Sequence, residues 1–241
     1  MLDVSIVIPL YNEERRLKKN LPTIDIFLKK NQKKKVELIF VSDGSSDNTN
    51  KIIKDYINEN SKKLKINFIK YKKNIGKGFA VKSGVLAAKN KWILICDADL
   101  SVHPNQFISW KKNNFLVPKN NAFFGSREHK KSKIKASKMR VILGYFFKKL
   151  IRFIFSINLK DTQCGFKVFN KHYSKKVFKD IKSYRFAFDV ELTLLLKKNN
   201  VKIIELPLKW THKEGSKLNL FRDMPLMLLD LIIIKFKEKI R

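Results

Sequence analysis

The chain of 241 residues has only two cysteines, Cys96 and Cys164, far apart in sequence. That excludes a disulfide scaffold and a cysteine-based zinc site, and it fits a reducing compartment. Long apolar runs are missing too. The longest stretch without Asp, Glu, Lys or Arg is 100–110, 11 residues, against the roughly 20 that a membrane-spanning helix needs. The chain is therefore expected not to span a bilayer. No basic segment followed by an apolar one opens the sequence, so no secretory signal is read. Acids are scarce: 21 Asp and Glu stand against 53 Lys and Arg, a net charge of +32.

What is abundant has a mundane side. Lys, Ile, Asn and Phe supply 110 of the 241 residues, and all four are favoured by A/T-rich codons, so coding bias accounts for much of the lysine. The charge still invites a polyanion, either nucleic acid or an anionic membrane. No zinc, helix-turn-helix or RNA-stacking signature appears, and the cations are spread over most of the chain, so no nucleic acid partner is expected. A hydrophobic fraction of 44% marks a globular chain with enough length for one sizeable core.

The first half alternates strand and helix. Residues 4–8 read as a buried β-branched strand ending at Pro9, and 13–30 as a helix with Leu17, Leu21, Ile24 and Leu28 on one face. Strands follow at 37–41, 66–71 and 92–96. Helices follow through Tyr56, with Ser46 as N-cap, and from 76–78 through Ala88. Alternation of this kind predicts a mostly parallel sheet covered by helices. Ligands of such sheets bind at the carboxyl ends of the strands, here 9–12, 42–45 and 97–99. The second half is less regular, with strands at 122–126, 164–170 and 201–208 and helices at 188–198 and 223–239. Pro207 puts the last strand near an edge. Residues 129–160 carry ten Lys and Arg and no acid.

Asp97-Ala98-Asp99 closes the fourth strand. Side chains at i and i+2 of an extended segment share a side. Such a pair reads either as solvated acids at a loop start or as a hard-oxygen site for Mg²⁺ or Mn²⁺, completed by substrate phosphates. Asp43-Gly44-Ser45 reads as an Asx-type turn and equally as a carboxylate for a base or ribose. Gly76-Lys77-Gly78 lacks both the P-loop and the dinucleotide pattern.

Taken together, four blocks resemble the family 2 glycosyltransferases, which have the GT-A fold: 7–14 (Val-Ile-Pro-Leu-Tyr-Asn-Glu-Glu), 41–45 (Val-Ser-Asp-Gly-Ser), 74–78 (Asn-Ile-Gly-Lys-Gly) and 97–100 (Asp-Ala-Asp-Leu). Four more blocks, 125–127, 161–167, 185–192 and 215–218, are similar to the dolichyl-phosphate β-glucosyltransferase branch. Polyprenyl-phosphate mannosyltransferases have looser versions of them. The resemblance runs from about residue 3 to 220 and implies one GT-A domain over 1–220. Within it, 1–110 is the nucleotide-sugar half and 111–220 the acceptor half, followed by an amphipathic helix over 221–241.

The resemblance implies transfer of a hexose, with inversion, from a nucleotide sugar to a polyprenyl phosphate. UDP-glucose is the favoured donor; GDP-mannose, or a hydroxyl acceptor, are the alternatives. Pro9, Tyr11, Glu13, Asp43 and Lys77 match the nucleotide site. Asp97 matches an acid near the ribose or metal, and Asp99 the main ligand of Mg²⁺ or Mn²⁺. Arg127 and Lys217 match cations that steady the diphosphate or receive the acceptor phosphate. Asp189 and Glu191 match acids that orient the acceptor or serve as a base. Ser42 and Ser101 depart from the commoner Asp and Gln, and the second departure leans away from GDP-mannose.

The segment 139–159 interleaves Phe146, Phe147, Phe153 and Phe155 with Arg140, Lys148, Lys149 and Arg152. Lys148 and Arg152 share a helical face. Leu226, Leu229, Ile233 and Phe236 form a second apolar stripe. Both segments read either as core helices with basic outer faces or as helices lying in a lipid interface. A polyprenyl acceptor favours the interface and a peripheral protein on the cytoplasmic face of a membrane.

Overall fold

The computed structural model describes residues 2–31, 35–60, 64–117, 120–135, 149–213 and 220–240, with backbone only at 135, 220–224 and 237–240. Lys217, Arg140, Phe146, Phe147 and Lys148 lie outside the described residues.

A seven-stranded sheet in the order β3-β2-β1-β4-β7-β5-β8 forms the centre. The strands are β1 (Asp3–Leu10), β2 (Lys35–Asp43), β3 (Lys65–Tyr71), β4 (Trp92–Ile95), β5 (Asn121–Gly125), β7 (Lys167–Asn170) and β8 (Lys202–Leu206). β6 (Lys133–Lys135) and β9 (Lys209–Thr211) pair separately as a parallel two-stranded ribbon. The central sheet is parallel except at β7, which runs against both β4 and β5. β1 pairs with β2 on one side and β4 on the other. The chain thus runs outward from β1 to β3 and then returns to the far side of β1. That reversal opens a crevice at the carboxyl ends of β1 and β4, where ligands of open α/β sheets bind.

Helices cover both faces. They are α1 (Glu14–Lys30), α2 (Thr49–Asn60), α3 (Lys77–Ala87), α4 (Asn105–Lys112), α5 (149–155), α6 (Lys171–Lys179), α7 (Phe188–Lys198) and α8 (Leu220–Ile240). Alternation along the strands divides the core. Ile6, Ile8, Leu38, Phe40 and Leu94 pack on one face with α1, α2 and α4. Val7, Ile39, Val41, Ile93 and Ile95 pack on the other with α3, α6 and α7. Both layers take side chains from each half of the chain, such as Phe123 and Val168 in one and Phe124 and Phe169 in the other. A third cluster joins α5, α7 and α8 through Ile151, Phe155, Val190, Met227, Leu231 and Ile234.

Several local readings change. The start of α2 is capped by Asp47 rather than Ser46, its carboxylate accepting the N–H of Thr49 at 2.9 Å. Ser46 instead donates its N–H to the Asn12 side chain at 2.8 Å, tying the loop after β2 to the loop after β1. The strand expected over 164–170 begins only at Lys167, because 164–166 form the loop that leads into it. Arg152 is engaged within the chain while its side chain stays 37% exposed. Its Nε donates to the carbonyl of Leu159 at 2.8 Å and its Nη2 to that of Lys160 at 2.9 Å, and it pairs with Glu128. Those contacts secure a loop. On α8, the apolar stripe of the sequence reading is the outward one. Leu229, Ile233 and Phe236 are exposed, while Met227, Leu231 and Ile234 face in. No helix among the described residues is long and apolar enough to cross a membrane.

α3 lies close to the sheet because Gly84 has no side chain. A Cβ there would stand 2.3 Å from Val7 Cγ1 and 3.1 Å from Val41 Cγ2. Alanine in a helix usually gains about 1 kcal/mol over glycine, but overpacking a core costs about 1–3 kcal/mol. Gly84→Ala is expected to lower the urea midpoint; a midpoint unchanged or raised would show that the layers yield freely.

Candidate active site

The carboxyl ends of β1, β2 and β4 open onto one cavity of about 530 Å³. Its lining includes Pro9, Tyr11, Glu13, Asp43, Lys77, Asp97 and Asp99 from the sequence reading, and also Arg16, Asn74, Arg185, Phe186, Leu226, Met227 and Asp230.

Hydrogen bonds between loops build one wall of the cavity. The N–H of Asn12 donates to Ser45 Oγ at 3.1 Å, that of Glu13 to Thr49 Oγ1 at 2.8 Å, and that of Glu14 to Asp47 at 3.1 Å. The loops after β1 and β2 therefore move as one. Asp43 is buried at the end of β2 and accepts N–H bonds from Ile75 at 3.0 Å and Gly76 at 2.7 Å. The Asn74 amide adds a third at 3.0 Å. Asp43 is thus the clasp that holds the 74–76 loop over the cavity. Burial pushes its carboxyl above the ordinary range, against the two backbone donors that stabilise the charged form.

Asp97, Ala98, Asp99 and Leu100 form a turn, with the N–H of Leu100 donating to the Asp97 carbonyl at 3.0 Å. This replaces the extended segment expected from sequence, since β4 ends at Ile95. Both carboxylates still line the cavity. Asn20 of α1 donates to the Ala98 carbonyl at 2.8 Å, and Asp99 accepts the Ser101 N–H at 2.8 Å. Lys77, at the start of α3, reaches Asp97 at 2.7 Å. Burial alone would raise the Asp97 carboxyl, but Lys77 outweighs it and holds the group below its usual value. From the other side Gly165 presses on the same carboxylate; a Cβ there would meet Asp97 Oδ2 at 1.9 Å.

The remaining acids and cations sit deeper. Asp189 pairs with the buried Lys167 at 2.6 Å, and Lys167 also donates to the Cys164 carbonyl. Burial raises the Asp189 carboxyl although Lys167 and Lys77 oppose it. Glu191 accepts the N–H groups of Lys182 at 2.9 Å and Ser183 at 2.6 Å, which braces the loop before α7. Arg127 does not line the cavity. Its guanidinium is held by the fully buried Asp161 at 2.7 and 2.8 Å. Both thiols are buried and pushed up by burial, Cys164 to about 11, so they stay protonated at neutral pH.

The described lining carries five carboxylates against three cations. A cavity of negative sign in a chain of charge +32 repels a diphosphate unless a cation joins it. Among the described residues no group of three or more His, Cys, Asp or Glu is placed to hold a metal. Asp97 and Asp99 fit an ion of the Mg²⁺ or Mn²⁺ kind, which takes one or two carboxylates and completes its shell with phosphate oxygens and water.

A family model described as glycosyl transferase family 2 matches residues 5–178. The chain belongs to that family. Among its relatives, a dolichyl-phosphate beta-glucosyltransferase of Dictyostelium discoideum is 35% identical, the match covering 97% of this chain and 74% of the relative. One of Homo sapiens is 35% identical over 97% and 75%. The mannosyl-3-phosphoglycerate synthase of Rubrobacter xylanophilus superposes with a TM-score of 0.66 at 14% identity, covering 99% of this chain and 75% of that one. The mannosyltransferase PcManGT of Pyrobaculum calidifontis, solved with GDP-Man and Mn²⁺, gives 0.61 at 16% identity over 99% and 64%. At such identities these structures speak for the GT-A fold alone. The chain is a glycosyltransferase with a mostly parallel sheet between helical layers.

Asn20, Lys167 and Asp230 join the site or its surroundings and carry a signal in the sequence. Each is a polar residue set within an apolar pattern, on α1, β7 and α8. In this transferase the Gly165 contact is directly testable. Gly165→Ala is expected to displace Asp97 and lower turnover about 100-fold, the scale of a 1 Å misplacement, with the thermal midpoint little changed. Full activity in that variant would remove Gly165 from the site.

Proposed function

We propose that this chain transfers glucose from a nucleotide sugar, UDP-glucose in preference to GDP-mannose, to a polyprenyl phosphate of the dolichyl type, with inversion. The observation that carries the reading is the acidic Asp97–Asp99 turn. It sits at the switch-point cavity of a chain 35% identical, over 97% of its length, to a dolichyl-phosphate beta-glucosyltransferase.

The chemistry follows from the residues. An oxygen of the acceptor phosphate attacks the anomeric carbon from the face opposite the leaving group. The bond from that carbon to the diphosphate breaks, and its electron pair departs with the nucleoside diphosphate. A divalent ion at Asp97 and Asp99, Mg²⁺ or Mn²⁺, supplies counter-charge for that leaving group when bound. Pro9 and Tyr11 border the nucleoside, and Asp43 fixes the loop above it. Lys77 keeps Asp97 ionised and in place. The acceptor is already an anion at neutral pH, so no strong base is needed. The engagement of Asp189 with Lys167 and of Glu191 with backbone N–H groups accords with that.

Asp99→Ala is expected to lower transfer by about 100-fold or more, the scale of losing one transition-state electrostatic contact. EDTA should stop turnover and added Mn²⁺ or Mg²⁺ restore it. The assay offers UDP-glucose and GDP-mannose with a short polyprenyl phosphate and reads the extracted lipid. Turnover with GDP-mannose alone, or undiminished by EDTA, would overturn the donor or the metal respectively.

The acceptor is a lipid, and Phe153 is 86% exposed while Phe236 is 64% exposed. On α8, Leu229, Ile233 and Phe236 present an outward apolar stripe that suits a peripheral seat on a membrane, and Phe153 of α5 is a further exposed aromatic. Two free thiols suit its cytoplasmic face. Changing Leu229, Ile233 and Phe236 together to Ser is expected to weaken co-sedimentation with phosphatidylserine-containing vesicles about tenfold or more, since each inserted side chain contributes roughly 1.5 kcal/mol or more. Unchanged sedimentation would mean that this face does not meet lipid.

A further inference from the structure

Among the described residues, the cations around the cavity are engaged, with one exception. Lys77 sits on Asp97 and Arg16 pairs with Glu13 at 3.0 Å. Behind the lining, Arg127 is clamped by Asp161 and Lys167 by Asp189. Arg185 lines the cavity and is exposed, and its guanidinium has no ion pair or hydrogen bond among the described residues.

Its stem is fixed nevertheless. The backbone of 184–185 packs directly on Gly76: a Cβ at 76 would stand 2.3 Å from the Tyr184 carbonyl oxygen and 3.2 Å from Arg185 Cα. The N–H of Phe79 donates to that same Tyr184 carbonyl at 3.2 Å. Arg185 is thus attached to the loop that Asp43 clasps, with a charged fork that no described residue neutralises.

The neighbours give this corner its character. Phe186 follows Arg185 in the lining, and Leu226 and Met227 of α8 complete it. Phe186 packs on the cluster that holds Met227, Asp230 of α8 also lines the cavity, and further along α8 Leu229, Ile233 and Phe236 are exposed. An unengaged guanidinium beside apolar side chains matches a molecule that is anionic at one end and apolar along the rest. A guanidinium fork also matches phosphate oxygens in shape.

We infer that Arg185 receives the phosphate head of the acceptor lipid, with Phe186, Leu226 and Met227 against the first isoprenoid units; this rests on the acceptor class proposed above. The carboxylates Asp97 and Asp99 then serve the donor, and Arg185 brings the attacking anion into the same cavity. Its role is to bind and orient the nucleophile.

The test compares the whole protein with Arg185→Gln and Arg185→Lys, using farnesyl phosphate and farnesol as binding probes and farnesyl phosphate as acceptor. Loss of a charge-assisted hydrogen-bonded pair corresponds to about 10- to 100-fold. The Gln variant should raise KM for farnesyl phosphate by that factor, keep KM for the nucleotide sugar within about twofold of wild type, and lose the preference for the phosphate over the alcohol. The Lys variant should recover part of the preference. A Gln variant that binds farnesyl phosphate like wild type overturns the assignment alone. A rise in the nucleotide-sugar KM instead moves Arg185 to the donor diphosphate and also overturns it. Wild-type protein that neither binds nor uses farnesyl phosphate overturns the acceptor class and this assignment together.

Discussion

The carboxylate of Asp97 is confined from opposite sides, and much of the site is arranged around that confinement. The Lys77 ammonium holds one oxygen, and the backbone at Gly165 packs so near the other that a side chain there would collide with it. The turn that carries Asp97 is fixed from below by Asn20 of α1. Three parts of the chain distant in sequence thereby meet at one turn: the first helix, the start of α3 and the loop leading into β7. The carboxylate is only partly exposed, and the lysine offsets the water it loses. The same pairing keeps a negative charge available at the mouth of the crevice between β1 and β4.

The electrostatics have two scales. Over the whole surface the excess of cations attracts anions and raises their local concentration at long range. Within the cavity the sign reverses, with carboxylates outnumbering cations in the described lining. Nucleotide sugars and lipid phosphates are therefore drawn to the protein in general but admitted to the cavity only with a compensating cation. Most of the arginines and lysines near the site are structural: Arg127 anchors Asp161, Arg152 secures the 159–160 carbonyls, and Lys167 joins β7 to α7. A basic residue close to an active site is thus not in itself a ligand for phosphate.

The parallel half was legible because its physics is local. Buried parallel strands read as continuous apolar runs, and amphipathic helices show their period, so β1 to β4 and α1 to α3 appear in the residues themselves. The same holds for the turn acids, which fall at strand ends. β6 and β9 escaped, being three residues each and half made of lysine, and α4 and α6 escaped as short polar helices. Their formation depends on partners elsewhere in the chain, such as the Pro207 carbonyl that accepts the Trp110 indole N–H at 2.7 Å. The engagement of Arg127 is hidden in the sequence for the same reason. Its partner Asp161 lies 34 positions away, and no local pattern distinguishes a guanidinium bound for a carboxylate from one bound for a phosphate. Asn20 was visible as a polar interruption, but its target, the carbonyl of Ala98, belongs to tertiary structure alone.

α8 contributes Leu226 and Met227 to the cavity and, further along, exposes Leu229, Ile233 and Phe236. A helix advances about 1.5 Å per residue and is stiff over a few turns, so Leu226 and Phe236 stand about 15 Å apart along its axis. The helix is therefore a ruler. Whatever plane receives its outer stripe lies at a set height and tilt relative to the cavity mouth. On the membrane seat proposed above, that height and tilt would set how far a lipid head group reaches into the site.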